Sequence, residues 1–242
     1  MALRTVPEWL TRWEYAHRGL HSEGLPENSL AAAQAAITAG MGVECDIQRS
    51  VDDHPMVFHD WDVDRMTNAK GPTESWSADQ LEGLRLLGTD QSPVRLTKFL
   101  DFIAGRVPLL IEIKSTPNYD PDRTALYVAS SLRQYRGRYA VMSFDPRVPA
   151  WFKHNEAQIP CGLVMREDHL GYTRTAQTRE IALAQADPDF LAYHINALPN
   201  SRVARLRAAG LPVLAWTVNS PESRRIAQDY ADALICEGAG LA

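Results

Sequence analysis

Short apolar runs and longer helix-forming segments alternate along this chain, and that alternation restricts the fold more tightly than any other property of the sequence. The spans 13–17, 42–47, 107–114, 139–144, 161–165, 190–195, 213–218 and 233–236 are rich in β-branched and apolar residues and read as eight strands. Between them, 29–39, 123–134, 150–157, 175–186, 202–209 and 221–230 read as helices, the first and fifth stopping at Gly40 and Gly210. Two more short helices are expected at 77–87 and 96–103. Eight strands joined by crossover helices in 242 residues point to a (β/α)8 TIM barrel. A doubly wound open sheet shares the alternation but is the second choice. The sequence contains no low-complexity linker and no internal repeat, so residues 1–242 are expected to form a single domain.

One strand-like run breaks the pattern. Residues 55–59 follow the second strand after only 48–54, too short a connection for a parallel crossover. The run must return antiparallel, as a hairpin extension after the second strand that brings His59 roughly level with Asp46. That hairpin would stand at the carboxyl end of the barrel, where barrel active sites are built.

The chemistry-bearing residues lie at the same strand ends. Glu44 and Asp46 are two apart, as are Glu112 and Lys114, and the two-residue period of a strand turns each pair to one side, with Cys45 and Ile113 facing the helices. Three carboxylates converging without a thiolate favour a hard divalent cation: Mg²⁺, Ca²⁺ or Mn²⁺. A single acidic residue at a strand end is usually a solvated loop residue or a helix cap; the coincidence of Glu44, Asp46 and Glu112 is what favours a metal site. Lys114 reads either as the ion-pair partner of Glu112 or as a cation that receives an anionic substrate. His17 and His59 end strands beside these carboxylates and are candidate proton-transfer groups, whereas His21, His54, His154 and His169 read as ordinary hydrogen-bonded residues. Trp216, on the seventh parallel strand, reads equally as a residue facing the barrel mouth and as a core residue. Asn28 or Ser29 is expected to cap the alanine-rich helix that follows, with contact to the metal ligands as the lesser alternative.

In order along the chain stand His17-Arg18-Gly19, Pro26-Glu27-Asn28-Ser29, Glu44-Cys45-Asp46, Pro55-Met56-Val57-Phe58-His59-Asp60, Arg65-Met66-Thr67, Glu112-Ile113-Lys114, Ser143-Phe144 and Trp216-Thr217-Val218-Asn219. This series resembles the glycerophosphodiester phosphodiesterase family across residues 15 to 236, most specifically in the first half. The resemblance implies a barrel enzyme that hydrolyses glycerophosphodiesters to glycerol 3-phosphate and an alcohol. It further implies His17 and His59 as acid and base, Glu44, Asp46 and Glu112 as ligands of one divalent cation, and Arg18 and Lys114 as phosphate contacts. Two positions depart from the family pattern: Ser29 replaces a threonine, and Glu237-Gly238 follows the last strand where the family carries a Thr-Asp pair and a proline.

Composition narrows the partners. Lys and Arg total 25 against 30 Asp and Glu, and a formal net charge of −5 argues against nucleic acid or anionic membrane as a partner. The substrate is expected to be a small glycerophosphodiester. Met1 to Trp13 carries Arg4, Glu8 and Arg12 and lacks the apolar core of an export signal, and no run of about 18 uncharged apolar residues occurs, so no membrane anchor is expected. Cys45, Cys161 and Cys236 are too few and too scattered for a disulfide framework, which suits a reducing cytoplasm. Two further readings stay open: a lysophospholipase D-type phosphodiesterase, which would want an apolar rim, and a barrel that binds phosphodiesters without turnover.

Overall fold

The computed structural model describes residues 6–241, so Arg4 lies outside the described residues. The fold is a (β/α)8 barrel. Its parallel strands are β1 (Tyr15–Ala16), β2 (Gly42–Arg49), β5 (Leu109–Ile113), β6 (Tyr139–Ser143), β7 (Cys161–Met165), β8 (Phe190–His194), β9 (Val213–Val218) and β10 (Ala233–Cys236). Two short antiparallel strands, β3 (Pro55–Val57) and β4 (Val94–Arg95), follow the second parallel strand. The helices are α1 (Leu30–Thr38), α2 (Ala78–Glu82), α3 (Leu96–Ile103), α4 (Pro121–Leu132), α5 (Arg147–Asn155), α6 (Ala176–Ala186), α7 (Ser201–Ala208) and α8 (Pro221–Tyr230). No described helix is long and apolar enough to cross a membrane.

The chain forms two compact units. The first comprises residues 16–114 and 122–138. Here β2 is buried from Gly42 to Gln48 because it is flanked on both edges, by β5 in parallel and by β3 in antiparallel register. Opposite Asp46 on β5 stands Glu112, and opposite Glu44 stands Leu110. The expected hairpin is present: the Ser50 amide donates to the His54 carbonyl at 3.0 Å, and Asp53 takes the left-handed conformation, at φ 67°, that such a tight turn requires. The Phe58 amide donates to the Asp46 carbonyl at 3.0 Å, which puts His59 one residue past the level of Asp46. Beneath the hairpin, Met56, Phe58, Val63, Met66, Ala78, Leu81 and Leu86 form a buried apolar cluster. The helix expected over 77–87 is shorter, since α2 ends at Gly83, a poor helix former. The β4 strand is an addition that two residues of sequence carry no signal for.

The second unit comprises 6–15, 115–121 and 139–241. Strands β6 to β10 pair in sequence order, with Val141 opposite Cys161, Leu163 opposite Leu191, Ala192 opposite Leu214 and Ala233 opposite Leu214. Their outward side chains bury against α6, α7 and α8 around Leu163, Leu191, Val213, Val203 and Ala227. Thr175, Asn200 and Ser220 cap these helices through their side chains, and Pro221 begins α8, where a missing N–H costs nothing. Cys45, Cys161 and Cys236 are all free and buried.

Candidate active site

The first unit gathers seven of the eight residues singled out in the sequence. Immediately after β1, Arg18 and Gly19 turn back with left-handed φ values of 55° and 78°. A side chain at position 19 would meet the Ala32 backbone at 2.9 Å, so only glycine lets α1 approach this turn. The Gly19 amide donates to the carbonyls of Ala16 at 3.1 Å and Glu44 at 3.2 Å, and the Asn28 amide donates to the Arg18 carbonyl at 2.9 Å. These bonds fix the His17-Arg18 turn against the end of β2.

Glu44, Asp46 and Glu112 are 1%, 2% and 7% exposed, and each brings a carboxylate oxygen within 4.8 Å of the others. Their charge is partly balanced in place. Lys114 Nζ lies 2.7 Å from Glu112 Oε1 and 3.4 Å from Asp46 Oδ1, so it is the ion-pair partner of Glu112 and faces the cluster. Arg18 Nε lies 3.4 Å from Asp46 Oδ2, and the Arg18 amide donates to Glu44 Oε2 at 2.8 Å. Burial, with the charges of Asp46 and Glu112 added to it, pushes the Glu44 carboxyl well above the usual range. Burial also works against ionised Asp46, but Lys114, His59, Arg18 and His17 outweigh it and hold that group low. Lys114 in turn is kept charged, against its burial, by Glu112 and Asp46.

Three carboxylates crowd a buried site beside two cations, the crowding shows in the raised Glu44 carboxyl, and an all-oxygen donor set of this span fits a hard divalent ion. Glu44, Asp46 and Glu112 are the residues that would hold it. Arg18 Nε is buried and, beyond its 3.4 Å ion-pair contact with Asp46, makes no hydrogen bond among the described residues.

His59 follows β3 and is held from both sides. Its carbonyl accepts from buried Gln48 at 3.1 Å, and its Nδ1 lies 2.6 Å from Asp60 Oδ1. Asp60 stays ionised because hydrogen bonds from His59 and Arg65 outweigh its burial. An ionised carboxylate only accepts, so Nδ1 carries the proton and Nε2 is the exchangeable position. Sequence reasoning missed two contributors, Glu27 and Arg65, and for Asn28 the lesser of its two readings is the one the structure shows. Asn28 contacts Asp46, while the helix cap is Ser29, whose Oγ accepts from Ala32 N at 3.0 Å. Glu27 and Arg65 stood inside recognisable motifs, but nothing in their spacing linked them to the site.

Trp216 lies in the second unit, on β9. Its indole N–H donates to the Ala192 carbonyl at 2.9 Å, and its ring meets Phe144 and His194 edge-on at 5.3 and 4.8 Å, with the Arg166 guanidinium 5.7 Å from the ring centre. Phe144 and Arg166 lie just beyond the carboxyl ends of β6 and β7, His194 ends β8, and Trp216 stands two residues before the end of β9.

The model of the glycerophosphoryl diester phosphodiesterase family matches residues 17–238. The chain belongs to that family. Membership makes it a phosphodiesterase, as the resemblance of its ordered motifs implied. Glycerophosphodiester phosphodiesterase 1 of Bos taurus is 26% identical over 242 residues, an alignment covering 85% of this chain and 71% of the bovine protein. Among solved structures, a phosphodiesterase of Oleispira antarctica in complex with the product sn-glycerol-3-phosphate superposes with a TM-score of 0.81 at 23% identity. It covers 93% of this chain and 92% of its own. A glycerophosphodiester phosphodiesterase of Thermotoga maritima reaches 0.75 at 23%, over 92% of both chains. Likeness at this identity establishes the shared barrel.

Proposed function

We propose that this protein hydrolyses glycerophosphodiesters to glycerol 3-phosphate and a free alcohol, with one divalent cation held by Glu44, Asp46 and Glu112 and with His17 and His59 as the proton-transfer pair. The observation that carries the reading is the convergence of three buried carboxylates within 4.8 Å of one another beside Lys114 and Arg18. A phosphodiester resists hydrolysis because its charge repels nucleophiles and its alkoxide leaves poorly. A bound divalent cation supplies Lewis-acid stabilisation of the phosphoryl oxygens. Arg18 and Lys114 add fixed positive charge to the same oxygens. His59, with Nδ1 committed to Asp60, exchanges protons at Nε2, and His17 provides the complementary transfer. Trp216 and the residues packed on it supply an amphipathic wall for the alcohol moiety.

The family match from 17 to 238 supports reading the chain as one catalytic domain. Three buried free thiols suit a reducing compartment, so we place the enzyme in the cytoplasm. The test is a coupled assay of glycerol 3-phosphate released from glycerophosphocholine and glycerophosphoethanolamine, before and after exhaustive chelation. Activity should vanish with chelation and return with Mg²⁺, Mn²⁺ or Ca²⁺, and Glu44→Gln, Asp46→Asn and Glu112→Gln should each raise the metal concentration that half-restores it. Full activity after chelation would overturn the metal site, and no release from any glycerophosphodiester would overturn the substrate class.

A further inference from the structure

Arg65 is half exposed, yet it makes four hydrogen bonds to two carboxylates that are themselves largely covered. Its Nε and Nη2 reach Asp60 Oδ2 and Oδ1 at 2.6 and 3.0 Å, and its Nη1 and Nη2 reach Glu27 Oε2 and Oε1 at 3.0 and 2.7 Å. The two oxygens that share Nη2 are the ones that matter. Asp60 Oδ1 also binds His59 Nδ1 at 2.6 Å, and Glu27 Oε1 also accepts from Arg18 Nη1 at 2.7 Å. One nitrogen of Arg65 therefore bridges the carboxylate oxygen that orients His59 and the carboxylate oxygen that orients Arg18.

We infer that Arg65 is a positioning residue that locks the His59 imidazole and the Arg18 guanidinium into one rigid frame, so that proton transfer and phosphate binding share a single alignment. The inference rests on the roles proposed above for His59 and Arg18. An ordinary surface ion pair would explain little of this arrangement, because exposed pairs contribute little and rarely hold one geometry. Two bidentate forks from one planar guanidinium do hold a geometry. Lysine, with a single nitrogen and no planar fork, cannot reproduce them. Asp60 and Glu27 are both held ionised, against their burial, by hydrogen bonds in which Arg65 takes part, so each remains a pure acceptor for the group it orients.

The experiment uses the full chain loaded with its activating cation. Arg65→Lys and Arg65→Met should each lower kcat with glycerophosphocholine on the order of 10- to 100-fold, the scale expected when a reacting group is displaced by about an ångström. KM should rise at the same time, because Arg18 loses its alignment too. Guanidinium added at low millimolar concentration to Arg65→Ala should restore part of kcat, an effect that a purely structural role would not produce. In the nitrogen NMR spectrum, wild-type His59 should appear as the Nδ1-protonated tautomer and become a tautomer mixture in Arg65→Met. Variants that keep wild-type kcat and KM while only the melting temperature falls, absence of guanidinium rescue, or an unchanged His59 tautomer would each overturn the inference. Should no form of the enzyme release glycerol 3-phosphate, the proposed activity fails by itself, and the NMR comparison still decides the role of Arg65.

Discussion

Asn28 and Asp46 exchange two hydrogen bonds: Asn28 Nδ2 donates to Asp46 Oδ2 at 3.0 Å, and the Asp46 amide donates to Asn28 Oδ1 at 3.1 Å. Asn28 is buried and sits at φ 53°, a left-handed conformation that asparagine tolerates better than most residues. The amide thus fixes both the backbone and the carboxylate of one proposed metal ligand.

Replacing Asn28 separates metal binding from folding. Asn28→Ala should weaken metal binding about 10- to 100-fold, the usual consequence of removing an outer-shell partner. Loss of two buried hydrogen bonds should also cost roughly 2 kcal/mol, or a few degrees in Tm. Metal titrations of activity, read beside calorimetry, check both. Unchanged metal dependence in a destabilised variant would make Asn28 a structural residue only.

The histidines separate by leaving group. His17→Ala and His59→Ala should each lower kcat on the order of 10²- to 10⁴-fold on a glycerophosphodiester, the range for loss of a positioned proton donor or acceptor. A nitrophenyl phosphodiester needs no acid, since its leaving oxygen departs as a stable anion. The variant whose defect is smaller on that ester marks the general acid. Near-normal turnover in either variant would remove that histidine from the chemistry.

Much of this site was legible in the sequence because it is built from strands. Period 2 places Glu44 with Asp46 and Glu112 with Lys114, and a connection too short for a crossover forces the hairpin that delivers His59; the register of β2 with β5 and β3 bears both out. What stayed hidden depends on contacts between distant segments. Glu27 and Arg65 are 38 positions apart, and their pairing follows from where the loops after β1 and β3 fold back, which no local periodicity encodes. Asn28 was ambiguous for a different reason. It adjoins Ser29, both residue types cap helices, and only the geometry shows that Ser29 caps while Asn28 turns toward Asp46.

Arg18 and Lys114 should respond differently to substitution. Arg18→Lys keeps the charge but loses the planar fork whose Nη1 holds Glu27 at 2.7 Å while Nε faces Asp46 at 3.4 Å, so KM should rise and kcat fall despite conserved charge. A fully active Arg18→Lys enzyme would exclude bidentate phosphate recognition. Lys114→Met leaves Glu112 and Asp46 without their nearest cation, so it should cost both activity and, in the metal-free protein, stability. Saturating metal should recover the stability but not the activity, a split that thermal denaturation with and without cation reads directly.

Acid stability should depend on Asp145, in the second unit. Its side chain is buried and accepts from Ser115 Oγ at 2.6 Å, from Arg147 Nη2 at 2.6 Å and from the Arg147 amide at 2.9 Å. Burial alone would raise this carboxyl, but the hydrogen bonds from Arg147 and Ser115 prevail and hold it below its ordinary value. A carboxylate that is more acidic in the folded chain contributes stability that is fully present above its unfolded pKa, about 4, and is lost as pH falls through the folded value. Asp145→Asn preserves the shape and removes the charge. At pH 7 it should cost roughly 2 kcal/mol, or about 4–8 °C in Tm. Below about pH 4 the gap should narrow, because the unfolded wild-type chain then binds a proton that the folded Asp145 does not, and the charge contribution is gone once pH has fallen through the lower folded value. Calorimetric scans of both proteins from pH 7 to 3 check this: a gap that stays constant with pH would mean that the Asp145–Arg147 pair stabilises the fold by shape and packing rather than by charge.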